Sequence, residues 1–190
     1  KIPRIDRYVT KLALGTAPLA GLFTSVAESD AESTILTALD ADIKYFDTAP
    51  LYGYGIAERR LGAGLNKSGK KFVISTKVGR VLNKVDSNNP VADTSSGAYA
   101  DIDPDVVPVF DFSREAILRS IEESLKRLKI DAIDIVYIHD ADDRIGEAIT
   151  NSYPVLDELR SQGVIKGVGV GMNYCTCLLY TSDAADEEDR

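Results

Sequence analysis

Five short apolar runs alternate with helical stripes along this 190-residue chain, and that alternation restricts the fold more than any other feature. Leu12 to Thr16, Tyr45 to Asp47, Phe72 to Thr76, Ile133 to Ile138 and Val164 to Val170 read as strands. The fourth is apolar almost throughout, as expected of a strand covered on both faces. Between the runs lie helical patterns. Ser29-x-x-Glu32 has the form of a capping box ahead of Ile35, Leu36 and Leu39. Ile56, Leu61 and Leu65 share a face over 56–65, and Ser113 can cap a helix lined by Ile117, Leu118, Ile121, Leu125 and Leu128. A last helix comes in two pieces, with Pro154 opening the second and Gly163 closing it. Repeated βα units predict a parallel sheet, either doubly wound or closed into a barrel, and periodicity does not choose between them. Gly79 to Asp111 breaks the rhythm, being rich in Asp, Asn, Ser and Pro, and is expected to be a long loop over a functional pocket.

Charge and composition narrow the partners. Twenty-two basic and 30 acidic side chains give a net charge of -8, with no basic patch, so nucleic acid and anionic membranes are not expected partners. Residues 181–190 alone hold five acids against one Arg. No run approaches the roughly 20 apolar residues of a membrane span, and none reads as a signal peptide. Cys175 and Cys177 are too few for a disulfide framework or a four-ligand metal site. A cytoplasmic protein without a bound metal is the expectation.

In a βα barrel the chemistry gathers at the C-terminal ends of the strands. Four ionisable residues sit at such ends or just past them: Asp47 after the second strand, Tyr52 in the loop beyond, Lys77 after the third, and His139, the only histidine, after the fourth. Each alone has an ordinary explanation: a turn-forming Asp, a packing Tyr, a solvated Lys, a hydrogen-bonded core His. Together they fit one chemistry. Moving a proton to or from a carbonyl oxygen near neutral pH asks more than a free phenol, with a pKa of about 10, can give. A neighbouring ammonium favours the phenolate, and a carboxylate keeps that ammonium charged and placed. An imidazole can then orient the carbonyl oxygen.

The motifs that carry these residues resemble the successive signatures of the aldo-keto reductases. They are Leu12-Ala-Leu-Gly-Thr16, Tyr45-Phe-Asp-Thr-Ala-Pro-Leu-Tyr-Gly53, Ser75-Thr-Lys77, Ser124-Leu-Lys-Arg-Leu128, Ile135-Val-Tyr-Ile-His139 and Gly167-Val-Gly-Val-Gly-Met-Asn173. The resemblance implies a (β/α)8 TIM barrel and NAD- or NADP-dependent hydride transfer. It implies Tyr52 as acid/base, Lys77 and Asp47 as its tuning pair, and His139 as the orienting group. It further implies that Gly15, Thr16 and Asp47 approach the nicotinamide ribose and that Asn173 approaches the carboxamide. There the chain departs from the family's common Ser-Asn pair, with Met172 before Asn173.

Gly-Thr-Ala-Pro-Leu, Tyr137-Ile-His-Asp-Ala-Asp-Asp143 and Gly-Met-Asn resemble the branch that oxidises sugars and pyridoxal, which implies an aldose or aldehyde substrate and Tyr52 acting as a base. Many relatives of that branch carry Pro where Ala141 stands. Asp140, Asp142 and Asp143 are read as a polar loop. The Gly167-x-Gly169-x-Gly171 run is not a dinucleotide fingerprint, because no third Gly follows at the required spacing.

Only about the first five of eight βα units are expected, over residues 1–176. Residues 177–190 resemble a translated sequencing adapter and are expected to be a non-native tail. A sheet of five strands has two unpaired edges. The chain as it stands is therefore expected to bind NAD(P) poorly and to turn over little. Two other readings stay open at this level: a cofactor-sensing regulatory subunit without turnover, and an aldolase using Lys77 in a Schiff base. NAD against NADP and the oligomeric state are not fixed by these residues.

Overall fold

The computed structural model describes residues 1, 2, 5, 7–85 and 99–174. The tail from 175 onward, with both cysteines, and the middle of the Asp- and Ser-rich stretch, 86–98, lie outside the described residues. Among the described residues seven strands are formed: β1 (Leu14–Gly15), β2 (Tyr45–Asp47), β3 (Val73–Val78), β4 (Arg80–Lys84), β5 (Val106–Phe110), β6 (Ile133–His139) and β7 (Ile165–Gly171). The helices are α1 (Glu28–Asp40), α2 (Ile56–Ser68), α3 (Arg114–Leu128), the single turn α4 (Ile145–Glu147) and α5 (Tyr153–Ser161).

Five strands make one sheet in the order β1-β2-β3-β6-β7, and every pairing is parallel. Each strand lies beside the next sheet strand along the chain. A doubly wound sheet reverses its order at a switch point, whereas this progression is the one a βα barrel uses.

Period two then divides the side chains. Phe46, Ile74, Val136 and Ile138 face the helices, where they meet Ile35, Leu61, Ile117 and Leu128 in one core. Each of these is 3% exposed or less. Full burial of one such side chain is worth about 1.5–3 kcal/mol, and this layer holds the helices on the sheet. The opposite face carries Tyr45, Asp47, Ser75, Lys77, Tyr137 and His139. At the N-terminal end of the sheet, Arg7 Nε reaches Asp134 Oδ1 at 2.5 Å, and Asp134 Oδ2 accepts the Ile74 N–H at 3.1 Å. A cavity of about 650 Å³ lies on this side, lined among others by Ile5, Tyr45, Ile135, Tyr137 and Gly167.

Three local expectations differ from what forms. The capping box at Ser29 is absent: α1 starts at Glu28, so Ser29 is already helical, and its cap Ala27 makes no side-chain bond. Glu28 and Asp30 in the first turn favour the helix dipole instead. Leu118 is 37% exposed rather than part of the buried stripe, which runs through Ile117, Ile121 and Leu128. The stretch from Gly79 to Asp111 contains an antiparallel ribbon, β4 with β5, in which Pro108 pairs with Leu82. A proline in an edge strand leaves the ladder intact on its other side.

Ser113 does cap α3, accepting the Ala116 N–H at 3.3 Å. Pro154 opens α5, and Gly163 follows its end with φ of 79°. No helix among the described residues is long and apolar enough to cross a membrane.

Candidate active site at the strand ends

The short ladder between β1 and β2 sets Gly15 beside Asp47. The Thr16 N–H and hydroxyl both donate to the Asp47 carbonyl, each at 3.0 Å, which closes the end of that ladder. Thr16 is wholly buried. A Cβ added to Gly15 would meet nothing within 4 Å, so the backbone there presents an open face.

After β2 the chain turns tightly through Pro50 to Gly55. The Gly55 N–H donates to Pro50 O at 2.8 Å and the Ala57 N–H to Tyr52 O at 3.2 Å. Gly53, Tyr54 and Gly55 all have positive φ, at 58°, 53° and 88°. A Cβ on Gly53 would lie 2.7 Å from the Ala20 side chain, so this loop closes onto the turn after β1 only with glycine there. The result is a fixed perch for Tyr52.

Lys77, 7% exposed, comes up from β3 between them. Its ammonium donates to Asp47 Oδ2 at 2.6 Å and to Thr48 O at 2.9 Å. It also lies 4.7 Å from the centre of the Tyr52 ring. An ammonium committed to a carboxylate and a carbonyl has no lone pair to offer an electrophile, which argues against the Schiff-base reading. His139 at the end of β6 meets Tyr52 edge-on, with ring centres 5.8 Å apart and planes at 86°. The four residues singled out in the sequence therefore converge in one cluster.

Burial drives the His139 imidazole well below its usual pKa, and the charges of Lys77 and then Arg80 push the same way. It is a neutral ring. Its Nδ1 finds no hydrogen-bond partner among the described residues, and Nε2 lies 3.7 Å from Asp140 Oδ2.

Asn173 stands on the same rim, just past β7. Its side-chain N–H groups donate to Asp140 Oδ1 at 3.1 Å and to Asp142 Oδ2 at 3.3 Å. Asp142 is a polar anchor, as the sequence suggests: slight burial, which would raise its pKa, is outweighed by the N–H groups of Tyr174 and Asn173.

Several residues of the site escape sequence reasoning. Asp140 takes the almost buried Arg80 guanidinium at 2.5 Å, and Arg80 in turn lies over the Phe110 ring at 4.6 Å. Tyr99 is held near Tyr52 by a backbone bridge to Leu22. Burial, and after it the nearby Tyr52, push the Tyr99 phenol up against the opposing influence of Arg80. Ser75 donates to Asp47 Oδ1 at 2.6 Å. One signal could have found part of this set. Tyr45, Ser75 and Tyr137 each lie two residues before Asp47, Lys77 and His139, which in a strand is the same face.

Residues 11–177 match the model of the Aldo/keto reductase family. The chain is 37% identical over 181 residues to a D-threo-aldose 1-dehydrogenase of a Pseudomonas species, covering 94% of this chain and 54% of that protein. It is 37% identical over 203 residues to a pyridoxal 4-dehydrogenase of Microbacterium luteolum, with 98% and 58% covered. Among solved structures, a glycerol dehydrogenase of Gluconobacter oxydans superposes with a TM-score of 0.67 at 30% identity, over 90% of this chain and 47% of that one. The chain thus spans about half the length of the relatives it matches, and its parallel sheet corresponds to part of a (β/α)8 barrel.

Proposed function

The chain belongs to the aldo/keto reductase family, and on that premise we propose that Tyr52, Lys77, Asp47 and His139 serve NAD- or NADP-dependent hydride transfer at an aldose's anomeric carbon, giving a lactone. The observation that carries this reading is the placement of Lys77, 2.6 Å from Asp47 and 4.7 Å from the centre of the Tyr52 ring.

Tyr52 takes the hydroxyl proton of the sugar. The Lys77 ammonium stands beside the Tyr52 ring as the counter-charge of the phenolate, and Asp47 keeps that ammonium in place. The neutral His139 ring can donate one N–H to the sugar oxygen without adding a second positive charge beside Lys77. In the reducing direction the same groups run backward, and Tyr52 gives its proton to the carbonyl oxygen.

The open face at Gly15, next to an Asp47 side chain that is 29% exposed, leaves room where a nicotinamide would bind. Bound NAD or NADP would supply the hydride acceptor. Gly15 and Asp47 would lie against its ribose, Thr16 would fix the strand end behind them, and Asn173 would face the carboxamide from the end of β7. An aldose substrate is favoured by the names of two relatives, the D-threo-aldose 1-dehydrogenase and a 30% identical L-galactose dehydrogenase of Arabidopsis thaliana.

The test is turnover by the protein expressed from its complete reading frame, with aldoses and each nicotinamide, followed by the absorbance of the reduced cofactor. Tyr52→Phe should lose at least about 100-fold in kcat while keeping its fold, the usual scale of a removed acid/base. Full activity in Tyr52→Phe would sink the chemistry. Turnover of simple carbonyls with none of aldoses would sink the substrate class alone.

A further inference from the structure

Beneath the site, the polar face of the sheet carries a second set of side chains that the reaction does not touch. Ser75 Oγ lies 2.6 Å from Asp47 Oδ1 and 3.1 Å from the Tyr45 hydroxyl. The Tyr45 hydroxyl lies 3.1 Å from that of Tyr137. The three residues sit on three neighbouring strands, β2, β3 and β6, on one face. In a barrel interior such positions are ordinarily filled by Val, Ile or Leu.

Counting protons fixes the direction of the chain. An ionised carboxylate only accepts, and a hydroxyl has one hydrogen. Asp47 is the charged and nearer acceptor, so Ser75 spends its hydrogen there. The Ser75 oxygen is then left to accept from Tyr45, and Tyr45, its hydrogen spent, accepts from Tyr137. Every O–H dipole points toward Asp47, and dipoles aligned in this way strengthen one another. Burial, and then the Tyr45 hydroxyl, raise the Tyr137 phenol and keep it protonated as the chain requires.

The strand beyond Tyr137 is shaped to allow this. A Cβ on Gly169 would fall 2.6 Å from Tyr137 Cε1, so only a bare backbone lets the ring lie where it does. One on Gly167 would touch Ile5 at 3.4 Å. The Gly-x-Gly-x-Gly run of β7, which is no dinucleotide loop, thereby has a physical reason at its middle member.

We propose that Tyr137, Tyr45 and Ser75 form a one-way hydrogen-bond chain that ends on Asp47 Oδ1 and fixes the Asp47 carboxylate so that its other oxygen holds Lys77 over Tyr52. They are positioning residues, and the inference rests on the reading of Tyr52 as the acid/base. None of them touches substrate. What they supply is the orientation and charge of the one group that places the Lys77 ammonium. Because the links are in series, each matters only while the links nearer Asp47 are intact.

The test uses Ser75→Ala, Tyr45→Phe, Tyr137→Phe and the double Tyr45→Phe/Tyr137→Phe, in the protein expressed from its complete reading frame. The phenylalanine variants keep the rings and the packing. Expected in turnover is a fall in kcat of roughly tenfold for Ser75→Ala, the scale of a lost bond to a charged group, and a smaller fall for Tyr45→Phe, with KM unchanged. The double variant should match Tyr45→Phe alone.

The second readout needs no turnover: NMR of tyrosine labelled at the hydroxyl-bearing carbon. The Tyr52 signal should move in Ser75→Ala and Tyr45→Phe, although neither residue touches Tyr52, and Tyr137→Phe should add nothing to Tyr45→Phe. A Tyr52 signal unmoved in all variants, or additive effects of the two tyrosines, would overturn the chain. A serial NMR pattern in a protein without turnover would uphold the chain and reject hydride transfer instead.

Discussion

Arg127 reaches the wholly buried carboxylate of Glu58 at 2.6 Å, and the other oxygen of that carboxylate takes the Thr76 hydroxyl at 2.7 Å. One side chain of α2 is thereby tied to α3 and to the β3 residue next to Lys77. Arg127→Met should cost about 3–5 kcal/mol in urea unfolding, because it strands a charge inside the protein. Replacing both partners, Glu58→Leu with Arg127→Leu, should cost less than the single change. A single variant as stable as the parent would show that Glu58 is not committed to Arg127.

His139 makes stability depend on pH in a known direction. Its pKa is depressed in the fold, chiefly by burial, while the unfolded chain has an ordinary imidazole. The unfolded state therefore binds the proton first as pH falls. Stability is complete above about pH 6.5 and declines below it, with a slope of up to about 1.4 kcal/mol per pH unit, until the folded ring is protonated too. His139 is the only histidine, so the difference between the parent and His139→Gln isolates it. That difference should shift in favour of the variant between neutral pH and pH of about 5. A difference independent of pH would mean the ring is not held neutral.

Two helical glycines should respond to alanine with opposite signs. At Gly62 an added Cβ would stand 2.3 Å from Leu128 O, where α2 crosses the end of α3. Alanine would ordinarily gain about 1 kcal/mol in a helix, but here the clash is with backbone and should leave a net loss of about 1–3 kcal/mol. Gly146 has nothing within 4 Å, and Gly146→Ala should gain about 0.5–1 kcal/mol. Thermal unfolding of the two variants reads both signs.

The two serines that look like helix caps differ in the same way. Ser113→Ala should cost about 1 kcal/mol, because its hydroxyl holds the Ala116 N–H. Ser29→Ala should fall within about 0.5 kcal/mol of the parent, because that residue lies inside α1. Equal losses in urea unfolding would restore the capping box.

That pair illustrates what sequence can carry. The four-residue signature fits Ser29 and not Ser113, whose fourth residue is Ala116, yet Ser113 is the one that caps, since the choice of the first helical residue depends on how α1 docks, which is tertiary. Asp47, Lys77 and His139 were legible because an ionisable residue closing an apolar strand stands out against its neighbours. Tyr52 was legible only through the motif around it. β4 and β5 were obscured by the Asp-rich surroundings and by Pro108, which has no ladder donor. Glu58, Arg80 and Arg127 look like surface charges in the sequence. Their burial comes from partners 69 residues apart for Glu58 and Arg127, and 60 apart for Arg80 and Asp140. Spacing along a chain does not encode such pairs.

Arg80 opens the β4–β5 ribbon only three residues after Lys77, and its charge bears on both Asp140 and His139. Anyone grafting this ribbon from one relative to another would also be exchanging a buried charge. A graft whose junction falls before Arg80 alters the electrostatic setting of the histidine. One whose junction falls after it changes shape alone. The modular boundary for engineering is therefore displaced from the visible start of the ribbon by one residue.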